Sequence, residues 1–460
     1  MATKDAVLAV FAWLPAAPHG KFVPAGLLTL TEAIGASPQH RELTSRFSYG
    51  TGYLKRPQAI DVDPVSLNLK DGESLQGKAL FPVNGLGEFG GIRDAAPDSW
   101  GRRVIEARRR VPANTLSEAD YLLEAGGDRV GALDVRKKID SPDSPSASDM
   151  HSLEYVLQAA EAVEHGLPVP ANLEAFLGAG PSAGGARPKA SVRDEQGALW
   201  LAKFPARGDP FDVARAEACT LALARRCGLT VPEVRYIRIG AKPVMLIRRF
   251  DRYWAPDGQY PTQAIPLHDS RPGDGLAEGR LPFASGLTLV ACSEFESRTK
   301  GYRDLAHAIR QHVHPPCIKA NCEELFARII LNIFVSNDDD HLRNHGFVRD
   351  PRTGGWTLSP LYDVVPRPGV AYERMLHLDV GDQGKLATLD NALSSFAAFT
   401  PSRAEAIGII RRVWGEVRQW KTCFEEHGAD EQLLRQLSGA FRELEDIASP
   451  DLQKEIRKPG

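Results

Sequence analysis

The sequence predicts an α+β fold in which a β-rich first region leads through a mixed middle into a helical second half. Three observations carry this. The chain opens on the strand-length apolar run "AVLAVFAWL", and short apolar segments then alternate with turn signals through "FSYGTGYLKRPQAIDVDPVSLNLKDGESLQG". From about residue 178 strand-like runs bracket a helix-like one. Beyond about residue 300, apolar residues recur at helical spacing through "DLAHAIRQH", "EELFARIILNIFV", "RAEAIGIIRRVWGEVRQWKTCFEEHG" and "EQLLRQLSGAFRELEDIA". The expected division is 1–110, β-rich; 111–255, mixed, with a Gly-rich loop; and 256–460, helical.

At 460 residues the chain can bury two or three cores, and its 43% hydrophobic and 25% charged residues are ordinary for a globular protein. Lys plus Arg (56) against Asp plus Glu (59) leaves a net charge of −3, which excludes a polyanion binder by bulk charge. Contact with nucleic acid then needs a local patch or a partner. Six cysteines are too few for a disulfide scaffold and point to a reducing compartment, with the cytoplasm as the expectation. In "HVHPPCIKANC", the prolines between His312, His314, Cys317 and Cys322 fit no standard zinc spacing. No apolar stretch reaches the length of a membrane span. The first twenty residues imitate a secretory signal, with Lys4 ahead of an apolar run, but Asp5 abuts that run, which reads equally as a buried first strand.

The middle region reads "GAGPSAGGARPKASVRDEQGALWLAKFPARGDPFDVARAEACTLALARRC". It gives a Gly-rich loop, a strand over Lys189–Arg193, a turn over Asp194–Gly197 and a strand over Ala198–Phe204. A helix follows, with Asp209-Pro210 at its start and Gly228 beyond its end. A further strand pair lies in "RYIRIGAKPVMLIRRFDR". Gly-rich loop, hairpin, strand lysine (Lys203) and helix glutamate (Glu217) come in the order that the nucleotide side of a protein kinase uses. "GPSAG" matches the G-x-S-x-G nucleophile elbow at Ser182, but that motif needs a strand before it and a helix after it. Here a helix-like segment precedes and a strand follows, which argues against a hydrolase. No Walker A sequence occurs.

"SNDDDHLRNHGFV" (336–348) sets three aspartates behind the apolar run "LFARIILNIFV". A helix end already carries partial negative charge, so a positive partner is expected there. Asp339 and Asn344 stand five apart, as do the proton-accepting aspartate and the magnesium-holding asparagine of the kinase loop H-R-D-x-x-x-x-N. Such a pair alone is weak, since charged loops often cap helices. Asp363, in the strand-like run "GWTLSPLYDVVP" between Tyr362 and Val364, is the candidate second metal ligand.

With "GGARPKAS", "LAKFP", "RRFDR", "SNDDDHLRNHGF" and "LSPLYDVVP" in this order, the sequence resembles the HipA family of bacterial toxin kinases; "APDSWGRR" and "FRELED" are also similar to it. The resemblance spans nearly the whole chain. It implies a protein-kinase-like (HipA-type) fold and an ATP- and Mg2+-dependent serine/threonine kinase. Residue by residue it implies Asp339 as catalytic base, Asn344 and Asp363 as magnesium ligands, and Lys203 as the phosphate-contacting lysine. Gly184, Gly185, Ala186, Arg187, Pro188 and Lys189 form the nucleotide loop, and Arg248, Arg249 and Phe250 fall at the adenine linker. Glu217, His341 and Tyr362 complete the cofactor set, and Ser182 matches an inhibitory autophosphorylation position. The implied partners are a HipB-like helix-turn-helix antitoxin, operator DNA reached mainly through it, and a protein substrate such as an aminoacyl-tRNA synthetase. "RRF" and "GARPK" depart from the best-known type of the family, which puts the target in doubt. A small-molecule phosphotransferase and a non-enzymatic co-repressor partner are the alternatives.

Overall fold

The computed structural model describes residues 2–15, 21–34, 41–145, 148–149, 153–167, 169–170, 185–262 and 265–458. The chain forms two compact units. One comprises Met1–Arg207, Leu246–Ala291 and Val348–Arg352; the other comprises Gly208–Met245, Cys292–Phe347 and Thr353–Gly460.

In the first unit, β1 (Ala2–Leu14), β2 (Lys21–Ile34), β3 (Arg41–Tyr49) and β4 (Leu133–Arg136) form an antiparallel sheet in the order β3-β2-β1-β4. The opening apolar run is the middle of β1. Every residue from Leu8 to Leu14 is buried, so both faces are covered and the sequence has no reason to alternate.

Beyond Tyr49 the expected β pattern does not materialise, and the next strand is β4. Tyr53, Ile60, Val62 and Leu67 are buried, but a single helical turn (Thr51–Leu54) and irregular backbone deliver them to the core. Side chains satisfy that backbone in place of a ladder. Tyr53 donates its hydroxyl to the Ile60 carbonyl at 2.8 Å, and the Asp63 carboxylate accepts from the amides of Val65, Ser66 and Gly91. The basic stretch after it forms α1 (Ser99–Arg109), followed by α2 (Glu118–Glu124). Arg102 makes a bidentate pair with Glu118, and Arg108 and Arg109 both reach Glu124, so neighbouring acids offset much of this helix's charge.

The hairpin read from the sequence is present. β6 (Lys189–Arg193) pairs antiparallel with β7 (Leu199–Lys203), and β5 (Ser148–Asp149) lies parallel to β6. Asp194 makes the turn by accepting from the amides of Gln196 and Ala198, and Gly197 supplies φ +85°.

At the centre of this unit Asp251, 1% exposed, accepts from Arg249 at 2.7 and 2.6 Å, from Arg252 at 2.7 Å and from the Gly131 amide at 2.7 Å. Burial opposes its ionisation, but the two guanidinium groups outweigh it and hold the carboxyl well below the usual range.

The second unit is mainly helical. α3 (Val213–Arg226) starts later than Asp209-Pro210 suggests, because Asp212 is the N-cap and accepts from the Arg215 amide at 2.9 Å. A residue before proline avoids the helical region, which keeps Asp209 out. Gly228, at φ +80°, follows the helix end as expected. α4 (Tyr302–His312), α5 (Ile318–Val335) and α6 (Arg403–Val417) pack with α5 at the centre. Leu325 through Val335 of α5 are all buried, the polar Arg328 and Asn332 among them.

Asp251→Ala takes from the buried Arg249 and Arg252 the carboxylate they share, leaving Arg252 only Glu278 at 3.3 Å. The variant is expected to lose about 3–5 kcal/mol of stability in urea titration.

Candidate active site

The three aspartates that look equivalent in sequence have different surroundings. α5 ends at Ser336, whose left-handed backbone (φ 54°) breaks the helix, and the Asn337 amide bonds back to the Asn332 carbonyl at 3.0 Å. Asp338 and Asp339 are then exposed, whereas Asp340 is 1% exposed. Arg367 supplies the positive partner for the first two, with Nε 3.1 Å from Asp338 and Nη2 2.8 Å from Asp339 Oδ2. Asp340 turns inward. It accepts from the Tyr302 hydroxyl at 2.5 Å and Asn332 Nδ2 at 2.6 Å, and lies 3.1 Å from His345 Nε2. Burial opposes its charge, but the His345 ring and these hydrogen bonds outweigh it, so its carboxyl lies below the ordinary value. Asp340 is a structural anchor and has no room to meet a substrate.

Hydrogen bonds tie Asn344, His341 and Tyr362 to this loop, and Asp363 follows Tyr362 in the chain. Asn344 is 3% exposed and donates Nδ2 to the Asp339 carbonyl at 2.9 Å, closing the five-residue interval. That bond orients the amide so that Oδ1, a cation-compatible oxygen, is directed elsewhere. The His341 amide bonds the same Asp339 carbonyl at 2.9 Å, and its ring lies edge-on to His377, 5.7 Å between centroids. Burial and the neighbouring His341 push the His377 pKa down.

The Ser359 amide meets the Gly346 carbonyl at 2.8 Å, and the Tyr362 hydroxyl donates to the Arg343 carbonyl at 2.7 Å. Asp363 therefore follows a segment tied to the Asp339–Asn344 loop. It does not lie on a strand as its sequence context suggests; the strand ends at Leu358. Its φ is +61°, a costly conformation for a residue with a Cβ and one that collects at functional sites. Among the described residues no group of three or more His, Cys, Asp or Glu could hold a metal unaided. One carboxylate and one amide oxygen nevertheless suit magnesium, which is commonly held by one or two carboxylates together with substrate phosphates. Glu217, also in this unit, is buried on α3.

Those of the remaining predicted residues that the structure describes lie in the first unit. Lys203 ends β7 half-buried, directly opposite Lys189 on β6. Gly185 has φ +94°, and Ala186, Arg187 and Pro188 lead from it into β6. Lys189 is 3% exposed, with its ammonium 2.9 Å from Asp98. Ser182 and Gly184 lie outside the described residues. Arg249 directs its guanidinium to Asp251 and to the Asp128 and Arg129 carbonyls, and Arg248 reaches the Ser270 carbonyl. Phe250 packs 6.3 Å from Phe283. Arg367, Asp98 and Trp100 were not singled out from sequence. For Asp98 a signal was there, since "PDSWGRR" is a helix-start pattern.

The family profile of the HipA-like C-terminal domain matches residues 181–421, more than half of the chain. This chain belongs to the HipA-like family. Over 408 residues it is 24% identical to the "Putative kinase Y4mE" of Sinorhizobium fredii, covering 82% of this chain and 85% of that one. It also resembles HipA of Shewanella oneidensis MR-1, solved with HipB and its operator DNA. The TM-score is 0.59 at 15% identity, over 97% of this chain and 95% of that one. The fold of the HipA-like chain is thus α+β and kinase-like, as the sequence predicts.

Asp340→Asn is expected to lose about 1.5–3 kcal/mol at pH 7, the worth of hydrogen bonds to a charged group. A carboxyl with a depressed folded pKa contributes stability above its unfolded pKa of about 4 and loses it as pH falls through the folded value. Denaturant titrations between pH 7 and pH 2 are therefore expected to show a flatter acid limb for the variant.

Proposed function

We propose that this HipA-like chain is a Mg–ATP-dependent serine/threonine protein kinase, the toxin half of a toxin–antitoxin pair acting in the cytoplasm. The observation that carries the reading is the closed Asp339–Asn344 loop. It exposes one carboxylate, aims one amide oxygen, and is tied through Tyr362 to the segment bearing Asp363 in strained backbone. A solvated cap needs none of these bonds.

In this reading Asp339 orients the substrate hydroxyl and accepts its proton at Oδ1, while Oδ2 is engaged by Arg367. Asn344 and Asp363 would hold Mg2+, which when bound cancels charge on the β- and γ-phosphates. Lys203 and the loop at 184–189 contact the phosphates, Glu217 belongs to the cofactor set that the resemblance implies, and the backbone around Arg248–Phe250 meets the adenine. His341 and Tyr362 hold the loop geometry. The Shewanella HipA, solved with HipB and operator DNA, supports a HipB-like antitoxin as partner and DNA contact through it. The resemblance extends the proposal to a translation component, such as an aminoacyl-tRNA synthetase, as target and to inhibitory autophosphorylation at Ser182.

Asp339→Ala is expected to lower phosphoryl transfer by about 10²–10⁴-fold and leave Mg–ATP binding within a few-fold. Asp363→Ala is expected to weaken binding of ATP in the presence of magnesium and to change it little in its absence. Calorimetry with and without magnesium, alongside a transfer assay, checks both. Transfer at the wild-type rate in Asp339→Ala removes it as the base, and unchanged Mg–ATP affinity in Asp363→Ala removes it as a ligand.

A further inference from the structure

Asp98 begins α1 and uses its two carboxylate oxygens for different tasks. Oδ1 accepts from the Gly101 amide at 2.8 Å, the ordinary N-cap bond. Oδ2 accepts from Lys189 Nζ at 2.9 Å, and the two side chains are only 6% and 3% exposed. Two residues on, the wholly buried Trp100 donates its indole Nε1 to the Lys189 carbonyl at 2.8 Å, and its backbone amide meets the Gly185 carbonyl at 3.3 Å. A Cβ on Gly185 would sit 3.2 Å from Lys189 Nζ, so the ammonium lies close over the glycine. One helical turn thus grips both ends of the segment Gly185–Lys189. Lys189 also faces Lys203 across the β6–β7 ladder, and like charges directly opposite repel. Asp98 offsets one of them.

Stability is a poor explanation for this arrangement. Well-packed apolar residues replace a buried ion pair at no loss, and often with a gain. An ion pair does have one property that an apolar contact lacks, a directional hold on a single atom. A loop that wraps phosphates with its backbone needs its stem held in that way, because hydrogen bonds from its amides weaken steeply with lost distance and angle. The geometry points to Asp98, assisted by Trp100, as a positioning residue that sets the stem of the nucleotide loop through Lys189. This inference rests on the nucleotide reading of residues 184–189 given above.

The test is calorimetric titration of the full chain with Mg–ATP, combined with the ATP KM and kcat of transfer. Asp98→Asn keeps a competent cap, since asparagine caps as well as aspartate, but removes the charge facing Lys189. Loss of one charge-assisted hydrogen bond corresponds to roughly ten- to hundredfold weaker Mg–ATP binding. The ATP KM is expected to rise accordingly while kcat stays within about threefold. A folded Asp98→Asn protein that binds Mg–ATP like wild type overturns the positioning role and leaves the nucleotide reading standing. Wild-type protein with no measurable Mg–ATP binding overturns the nucleotide reading itself, and this role with it. Should Asp98→Asn fail to fold, Trp100→Phe keeps both the cap and the ion pair and removes only the indole bond. It is expected to bind about fivefold more weakly, and unchanged binding in that variant overturns the proposal equally.

Discussion

The buried carboxylate of Asp340 is the constraint on which the candidate site depends. A charge at that depth persists only with donors around it, and here they come from three parts of the chain: Tyr302 at the start of α4, Asn332 near the end of α5, and His345 beyond the loop. Satisfying Asp340 therefore fixes where α5 stops, how the chain turns, and where it re-enters the core. Leu342, Asn344 and His345 are all buried as a result. Asp339 has no option but to face out, one residue before an inward-facing anchor, and its carbonyl is left where the Asn344 amide can reach it. The exposed carboxylate owes its position to the buried one beside it.

Charge compensation recurs in the chain, and its depth separates two roles. Asp251 among Arg249 and Arg252, and Asp98 against Lys189, are desolvated pairs whose partners cannot be exchanged for water without loss. They hold backbone in place. Arg367 over Asp338 and Asp339 is about half exposed, and exposed pairs of this kind contribute little. Such a contact can give way when a substrate or phosphate competes for either partner.

Much of this was legible in the sequence where local chemistry decides. The opening strand, the hairpin over Lys189–Lys203 with its Asp194–Gly197 turn, and the buried run of α5 are set by apolar pattern and turn residues. The Asp339–Asn344 interval was readable because one short loop contains both residues. What escaped was decided at a distance. Nothing local distinguishes Asp340 from Asp338, since its donor Tyr302 lies 38 residues upstream. The stretch from Gly50 to Gly77 looked β-rich because its apolar positions are real, but bonds from Tyr53 and Asp63 to the backbone stand in for a ladder. Asp363 sits beyond the strand that its neighbours suggested, and the inward course of the Arg249 side chain follows from Asp251, itself buried for tertiary reasons. Asp98 reads as a helix cap, while its second oxygen's partner is 91 residues away.

The central claim is that the anchored loop presents Asp339 to a hydroxyl on a protein. The most direct measurement is incubation of the purified chain with γ-labelled ATP, magnesium and a cell lysate, followed by separation of protein from small molecules. The account predicts label on serine or threonine of protein. Label that appears only on small metabolites, or no transfer at all by protein that binds Mg–ATP, would contradict it.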